Sequence, residues 1–401
     1  MKNILFTGAT GYIGQRLLIE LVNKDYFVVC CVRDLNRFTV SDEVAKRIQI
    51  VQVDFSKPIP DGLIPEDISA AYYLIHSMSA STKFEELEAL CGEHFKKAVE
   101  QTQVEQVIYL SGISNEDNLS KHLASRKHVE EVLKSDTYAL TTLRAGIIIG
   151  SGSASFEIIR DLVEKLPIMI APKWLRTKSQ PIAIRDVLSF LTKSLFFKDS
   201  YNRNFDIGGP DRITYREMLL GFAEVRGLKR YIGIVPVMTP RLSSYWLYFV
   251  TSTSYKLASA LVSSMKIEVL CRDNELAKIL SIDPIPYRKA IKLAFDRIEQ
   301  NQILSSWKDS LVSGRFKNNI SNYINNNESK TSNIEVLTDG NIKLNSDLTI
   351  DGTLYVSNID IAGESVLINT TTYQTENLEI INNQGDGPSL KIDHNNQNNN
   401  I

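Results

Sequence analysis

Short apolar, β-branched runs alternate with longer stretches of helical periodicity over the first 150 positions. The pattern begins with the strand-like run Asn3-Leu5-Phe6, passes to a helical stretch from Gly14 to Asn23, and returns to strand-like runs at Phe27 to Val32 and Ile50 to Val53. It continues through Ala70 to Ile75, a helix around Phe84 to Gln101, Gln106 to Leu110, a helix around His122 to Lys134, and Ala139 to Leu143. Strands separated by helices must pair in parallel, because each crossover lays its helix over one face of the sheet. Runs that are apolar at every position fit strands buried on both faces. The expected fold class is α/β, with a doubly wound parallel sheet over residues 1–150.

Beyond Gly150 strand-like runs become sparse, and Asp186 to Phe197, Arg216 to Arg226 and Pro286 to Ile303 read as helices. These predict a mostly helical substrate-side subdomain over about 151–305, within a first domain of residues 1–316. The character changes after Phe316: residues 317–332 are rich in Asn and Ser without an apolar stripe and read as a linker. Period-two alternation then returns at Ile342/Leu344, Leu348/Ile350, Leu354/Val356 and Ile359/Ile361, punctuated by Asp339-Gly340 and Asp351-Gly352, so 333–392 reads as a small β-rich module. The Asn-rich residues 393–401 are too polar to bury anything and are expected to be disordered.

Charge narrows the class of function. With Lys+Arg 45 against Asp+Glu 47 the net charge is −2, so no broad basic face is available and a nucleic-acid partner is not expected. Cys30, Cys31, Cys91 and Cys271 form no CxxC pair, and Cys30 and Cys31 point to opposite faces of one strand; buried thiols rather than disulfides are expected. The five histidines show no metal-site spacing, and no metal is expected. Glycines interrupt the apolar start before a secretory core could form, which places the protein in the cytoplasm. No stretch is apolar enough for a transmembrane segment. Residues 241–266, with Lys256 as their only internal charge, read either as a helix packed over the substrate side or as a membrane-surface contact.

The segment Thr7-Gly8-Ala9-Thr10-Gly11-Tyr12-Ile13-Gly14 lies between the first strand and the first helix. Glycines there let the backbone approach a pyrophosphate at the helix N-terminus. This motif resembles the Rossmann fingerprint of extended and atypical short-chain dehydrogenase/reductases. The strings LRAGIIIG (from Leu143) and QPIAIRDV (from Gln180), with Ile207-Gly208-Gly209-Pro210, extend the likeness to the NmrA-like, YbjT-like group over about residues 1–320. The C-terminal string SDLTIDGTLYVSNIDIAG resembles phage tail-fibre segments. Such thin strands bury little alone, so the module is read either as an oligomerisation or attachment element or as an appendage without such a role.

The likeness implies a bound dinucleotide. Thr7, Gly8, Thr10, Gly11, Tyr12, Ile13 and Gly14 would hold it, with Asp54 and Phe55 toward the adenine and Leu74, His76 and Ser77 beside the nicotinamide ribose. At the end of the second strand Arg33 could grip a 2′-phosphate, which selects NADP, with NADPH preferred over NADH; the other reading is a solvated Arg33 with NAD bound.

Catalysis departs from the better-known members, which use a Tyr-x-x-x-Lys pair and a Ser. Ser111 fills the Ser position, whereas His122 and Arg126 stand where Tyr and Lys are usual. An imidazole titrates near neutrality and could donate a proton without a neighbouring ammonium. Alternatively His122 is a surface helix residue, and Arg126 binds the cofactor ribose or pairs with Glu130 one turn on. Two functions follow: an NADPH-dependent oxidoreductase acting on a small-molecule substrate, a carbonyl or quinone-like compound, or a non-catalytic NADPH-binding sensor or scaffold. Trp174, Gln180 and Tyr215 would lie near the substrate mouth or pack inside the protein.

Overall fold

The computed structural model describes residues 2–76, 84–115, 120–235, 265–299, 334–336 and 342–344. Ser77, nearly all of segment 241–266, the linker and most of the C-terminal module therefore lie outside the described residues. The chain divides into two compact units, Met1–Glu328 and Ser329–Ile401.

In the first unit the chain runs β1 (Asn3–Thr7), α1 (Tyr12–Asn23), β2 (Phe27–Val32), α2 (Asp42–Ala45), β3 (Ile48–Gln52), β4 (Ile68–Tyr73), α3 (Phe84–Val99), β5 (Gln106–Gly112), α4 (Lys121–Val132) and β6 (Ala139–Ala145). It continues through β7 (Ile148–Ile149), α5 (Ala154–Lys165), β8 (Ile168–Pro172), β9 (Lys178–Ser179), β10 (Ile182–Ala183), α6 (Ile184–Lys193), β11 (Arg203–Ile207), β12 (Ile213–Thr214), α7 (Tyr215–Val225) and β13 (Tyr231–Val235), with a last described helix at Tyr287–Glu299. Seven strands form one parallel sheet in the order β11-β6-β5-β4-β1-β2-β3. The order reverses beside β1, and at such a switch point the crevice outside the strand ends takes a ligand.

Alternation along each strand sorts side chains into two cores. Ile4, Phe6, Val28, Cys30 and Tyr72 pack with Leu17 and Leu21 of α1 and Phe190 of α6. Leu5, Val29, Cys31, Tyr73 and Tyr109 pack with Phe95 of α3 and Val129 of α4. Helices on both faces make the sheet doubly wound. The adjacent Cys30 and Cys31 fall in opposite cores; both are free thiols, and burial pushes the Cys31 thiol up to about 12. Each fully buried large apolar side chain contributes roughly 1.5–3 kcal/mol, so these layers dominate the stability of the first half.

The second half is less helical than its sequence suggests. Seven strands, β7 to β13, lie between Ile148 and Val235, and β11 completes the main sheet. The apolar pattern hides β11 because only Phe205 and Ile207 turn into the core, while Asp206 faces the other way and pairs with Arg272. Helix α5 was also absent from the sequence-based reading. A third core joins α5, α7 and Tyr287–Glu299 through Phe156, Phe222 and Phe295, whose ring centroids lie 5.4–5.7 Å apart. Trp174 and Tyr215 pack edge to face within this core. Gln180 is also buried, donating to the Gly209 carbonyl at 2.7 Å and accepting from the Cys271 amide at 3.1 Å.

In the second unit Ile334–Val336 and Ile342–Leu344 pair antiparallel, with Val336 opposite Ile342.

Candidate active site

The glycine loop closes against β4. Thr7, fully buried, donates its hydroxyl to the Tyr72 carbonyl at 3.0 Å and accepts from the Leu74 amide at 3.0 Å, fastening the ends of the two strands. Gly8 then turns with φ +72°, and a Cβ there would stand 2.7 Å from the Leu74 carbonyl oxygen, so only glycine fits. Its own carbonyl accepts from the Gly11 amide at 2.9 Å, and a Cβ on Gly14 would lie 2.0 Å from it.

Helix α1 starts at Tyr12 with Gly11 as N-cap, no side-chain cap and no acidic residue in its first turn. Its leading N–H groups and the positive end of its dipole therefore carry no internal anion, the arrangement a pyrophosphate requires. The residues present fit a dinucleotide. Arg16 braces the loop, donating to the Tyr12 carbonyl at 3.0 Å and the Ser151 carbonyl at 3.1 Å.

At the end of β2 the exposed Arg33 lies close enough to Asp54 for its charge to be felt there. Asp54 accepts from the Ser56 amide at 3.1 Å and hydroxyl at 2.7 Å. Burial raises its pKa, but Ser56, Arg33 and Lys57 outweigh that and hold it below the usual range. Asp34 accepts from the Asn36 amide at 3.1 Å and caps a turn. Phe55 is a core side chain, edge to face with Phe95, so its backbone rather than its ring is available to a ligand.

Beyond Leu74 the chain brings together charged residues that sequence reading only partly linked. His76 Nδ1 lies 2.8 Å from Glu88 Oε1, and the Ser125 hydroxyl donates to Glu88 Oε2 at 2.5 Å. Burial and the charge of Arg126 hold His76 down at about 4, against the opposing pull of Glu88. Burial pushes the Glu88 carboxyl up, but His76, Arg126 and Ser125 outweigh it and hold it down at about 2. At neutral pH the pair is a neutral imidazole beside a carboxylate.

Arg126 also donates to the Tyr109 hydroxyl at 3.4 Å, and its guanidinium carbon lies 5.8 Å from that ring's centroid. Glu130 is not its partner. That carboxylate takes a two-point grip from Arg144, at 2.8 and 3.0 Å, inside the protein, which corrects the helix-surface pairing considered for Arg126. Ser111 is buried beside the Tyr109 hydroxyl, where it and Arg126 oppose the rise that burial gives the phenol. His122 lies in the first turn of α4, and its side chain is outside the described residues.

Glu88, Ser125 and Tyr109 were missed at the sequence level. For Glu88 a signal existed: it precedes Cys91 and Phe95 by three and seven positions, a carboxylate on the apolar stripe of α3.

Residues 8–153 match the model of the NAD(P)H-binding family. The chain is 22% identical over 247 residues to the photosystem II assembly factor Ycf39 of Trieres chinensis, covering 60% of this chain and 75% of that protein. In structure it is similar to a nucleoside-diphosphate-sugar epimerase of Staphylococcus aureus, with TM-score 0.57 at 14% identity over 72% of this chain and 99% of that one. It is likewise similar to a UDP-glucuronic acid 4-epimerase of Bacillus cereus in complex with NAD, with TM-score 0.55 at 14% identity over 75% of this chain and 99% of that one. Residues 8–153 thus match an NAD(P)H-binding family, and the parallel, doubly wound sheet that carries them is a fold shared with those epimerases.

Proposed function

We propose that the protein is an NADPH-dependent oxidoreductase acting on a small carbonyl or quinone-like substrate. The observation that carries this reading is the cluster of His76, Glu88, Ser125 and Arg126, two residues on from the Leu74 that closes the glycine loop. Strongly shifted ionisable groups gathered at the ligand end of a parallel sheet mark a functional site.

When bound, the dinucleotide supplies or accepts a hydride at its nicotinamide. The remaining work falls to the chain. The Arg126 guanidinium holds the negative charge that develops on a substrate oxygen, an electrostatic contribution that is often the largest in catalysis. Ser111 offers its hydroxyl to the same oxygen, and His122 supplies the proton. Glu88 stays ionised and fixes the orientation of His76 and Ser125.

Preference for NADPH rests on Arg33 and Asp34. A NAD-selective site presents a carboxylate to the ribose 2′-hydroxyl. Here the Asp34 carboxylate is occupied by the Asn36 amide, and a guanidinium stands at the end of β2 instead.

The test is NADPH consumption by the purified chain across a panel of carbonyls and quinones. Arg126→Met is expected to lower kcat by about 10²–10³-fold with cofactor affinity retained, as for loss of a charge-stabilising donor. Ser111→Ala and His122→Ala are expected to remove turnover; activity unchanged in all three variants overturns the assignment.

A second reading has its own support. Histidine stands where the usual tyrosine donor would be, and the matched relative is named an assembly factor. On that reading the protein is a nucleotide-holding scaffold or sensor, and it binds NADPH tightly without consuming it against any member of the panel.

A further inference from the structure

β8 and β13 pair in parallel, with Tyr231 opposite Ile168 and Gly233 opposite Ile170. Met169 and Ala171 turn into the core of the second half, with Ile232 and Ile234 packed against it. The alternate positions face outward: Ile168 is 69% exposed, Ile170 61% and Tyr231 67%. A sheet face left open to water normally carries polar residues. This outer face carries two isoleucines, a tyrosine and a glycine.

Charge around the two strands is as lopsided as the apolarity. The chain as a whole has slightly more acidic than basic residues. Yet residues 166–185, which contain β8, hold Lys173, Arg176, Lys178 and Arg185 with no Asp or Glu. The described residues 225–235, which contain β13, hold Arg226, Lys229 and Arg230, again with no Asp or Glu. Arg226 is engaged with Glu164 at 3.5 Å. Lys173, Arg176 and Lys229 are exposed and make no ion pair with any described residue.

We propose that the β8–β13 face rests on an anionic phospholipid surface. Ile168, Ile170 and Tyr231 enter the boundary between headgroups and acyl chains, where an amphipathic tyrosine is at home, and Lys173, Arg176 and Lys229 meet lipid phosphates. A second copy of the chain is the poorer occupant, because pairing this face with itself brings the same cations together without a carboxylate between them. Exposed apolar anchors with exposed cations a few residues along the chain match a surface that is apolar beneath and anionic above.

Flotation of the full-length protein with phosphatidylcholine vesicles, prepared with and without phosphatidylglycerol, tests this. Binding is expected only with the anionic vesicles, weakening as salt screens the attraction. Ile168→Ser/Ile170→Ser and Lys173→Gln/Arg176→Gln are each expected to lower partitioning by about tenfold or more. All four positions but none of the core are altered, so thermal melts of both variants should match the parent. The proposal is overturned if anionic vesicles fail to float the protein, or if both variants float as the parent does. It is also overturned if the protein forms a dimer that Ile168→Ser/Ile170→Ser abolishes, which would give the face to a second copy.

Discussion

Gly14 approaches Gly8 so closely that a methyl group on its Cα would sit 2.0 Å from the Gly8 carbonyl oxygen. The obstacle is backbone, held by the Gly11 amide and by the strained turn at Gly8, and cannot swing aside. Gly14→Ala is therefore expected to push α1 from the end of β1, lowering stability by about 1–3 kcal/mol as overpacking does. It should also abolish the shift in melting temperature caused by added NADPH. Melting curves with and without the dinucleotide check both effects.

Arg33 is exposed and its charge is felt at Asp54, so its loss should cost little stability. Arg33→Ala is expected to weaken NADPH binding about 10–100-fold, the value of a charge-assisted hydrogen bond or two, while NADH binding changes little. Calorimetric titration with each dinucleotide makes the comparison.

Glu130 and Arg144 form a two-point ion pair between α4 and β6, with both side chains nearly inaccessible. Arg144→Met leaves the Glu130 carboxylate buried without its partner and is expected to destabilise the protein by about 3–5 kcal/mol. Replacing both, as Glu130→Leu/Arg144→Met, should cost distinctly less than the single change. Urea unfolding of the set measures the difference.

The His76–Glu88 pair gives stability a defined pH dependence. His76 titrates lower folded than unfolded, so its contribution is complete above pH 6.5 and is lost as pH falls from there through about 4. Glu88 acts in the same direction lower down, its contribution being lost as pH falls from 4.5 through about 2. The His76 window should cost about 1–3 kcal/mol, and His76→Asn should flatten it while leaving the lower one. Unfolding free energies across both windows test the assignment.

The parallel sheet of the first half was legible because its strands are apolar at nearly every position and its glycines fall between β1 and α1. β11 was not, since Arg203, Asn204 and Asp206 break the apolar run and only tertiary partners, Arg272 for Asp206, make the strand tolerable there. In the site, Thr7, Gly8 and Gly14 could be read from spacing, because their roles are those of local backbone. Arg126 was identified by position, but its partners were not: Tyr109, Glu88 and His76 come from β5, α3 and the end of β4, and no periodicity connects them. Trp174, Gln180 and Tyr215 illustrate the converse, residues suited to a pocket rim that the fold buries.

The account rests on a dinucleotide seated at the glycine loop with its 2′-phosphate toward Arg33. Titration of the purified protein with NADPH and NADH measures this directly. Binding of both, with NADPH the tighter, is the result expected, and failure to bind either one would contradict it.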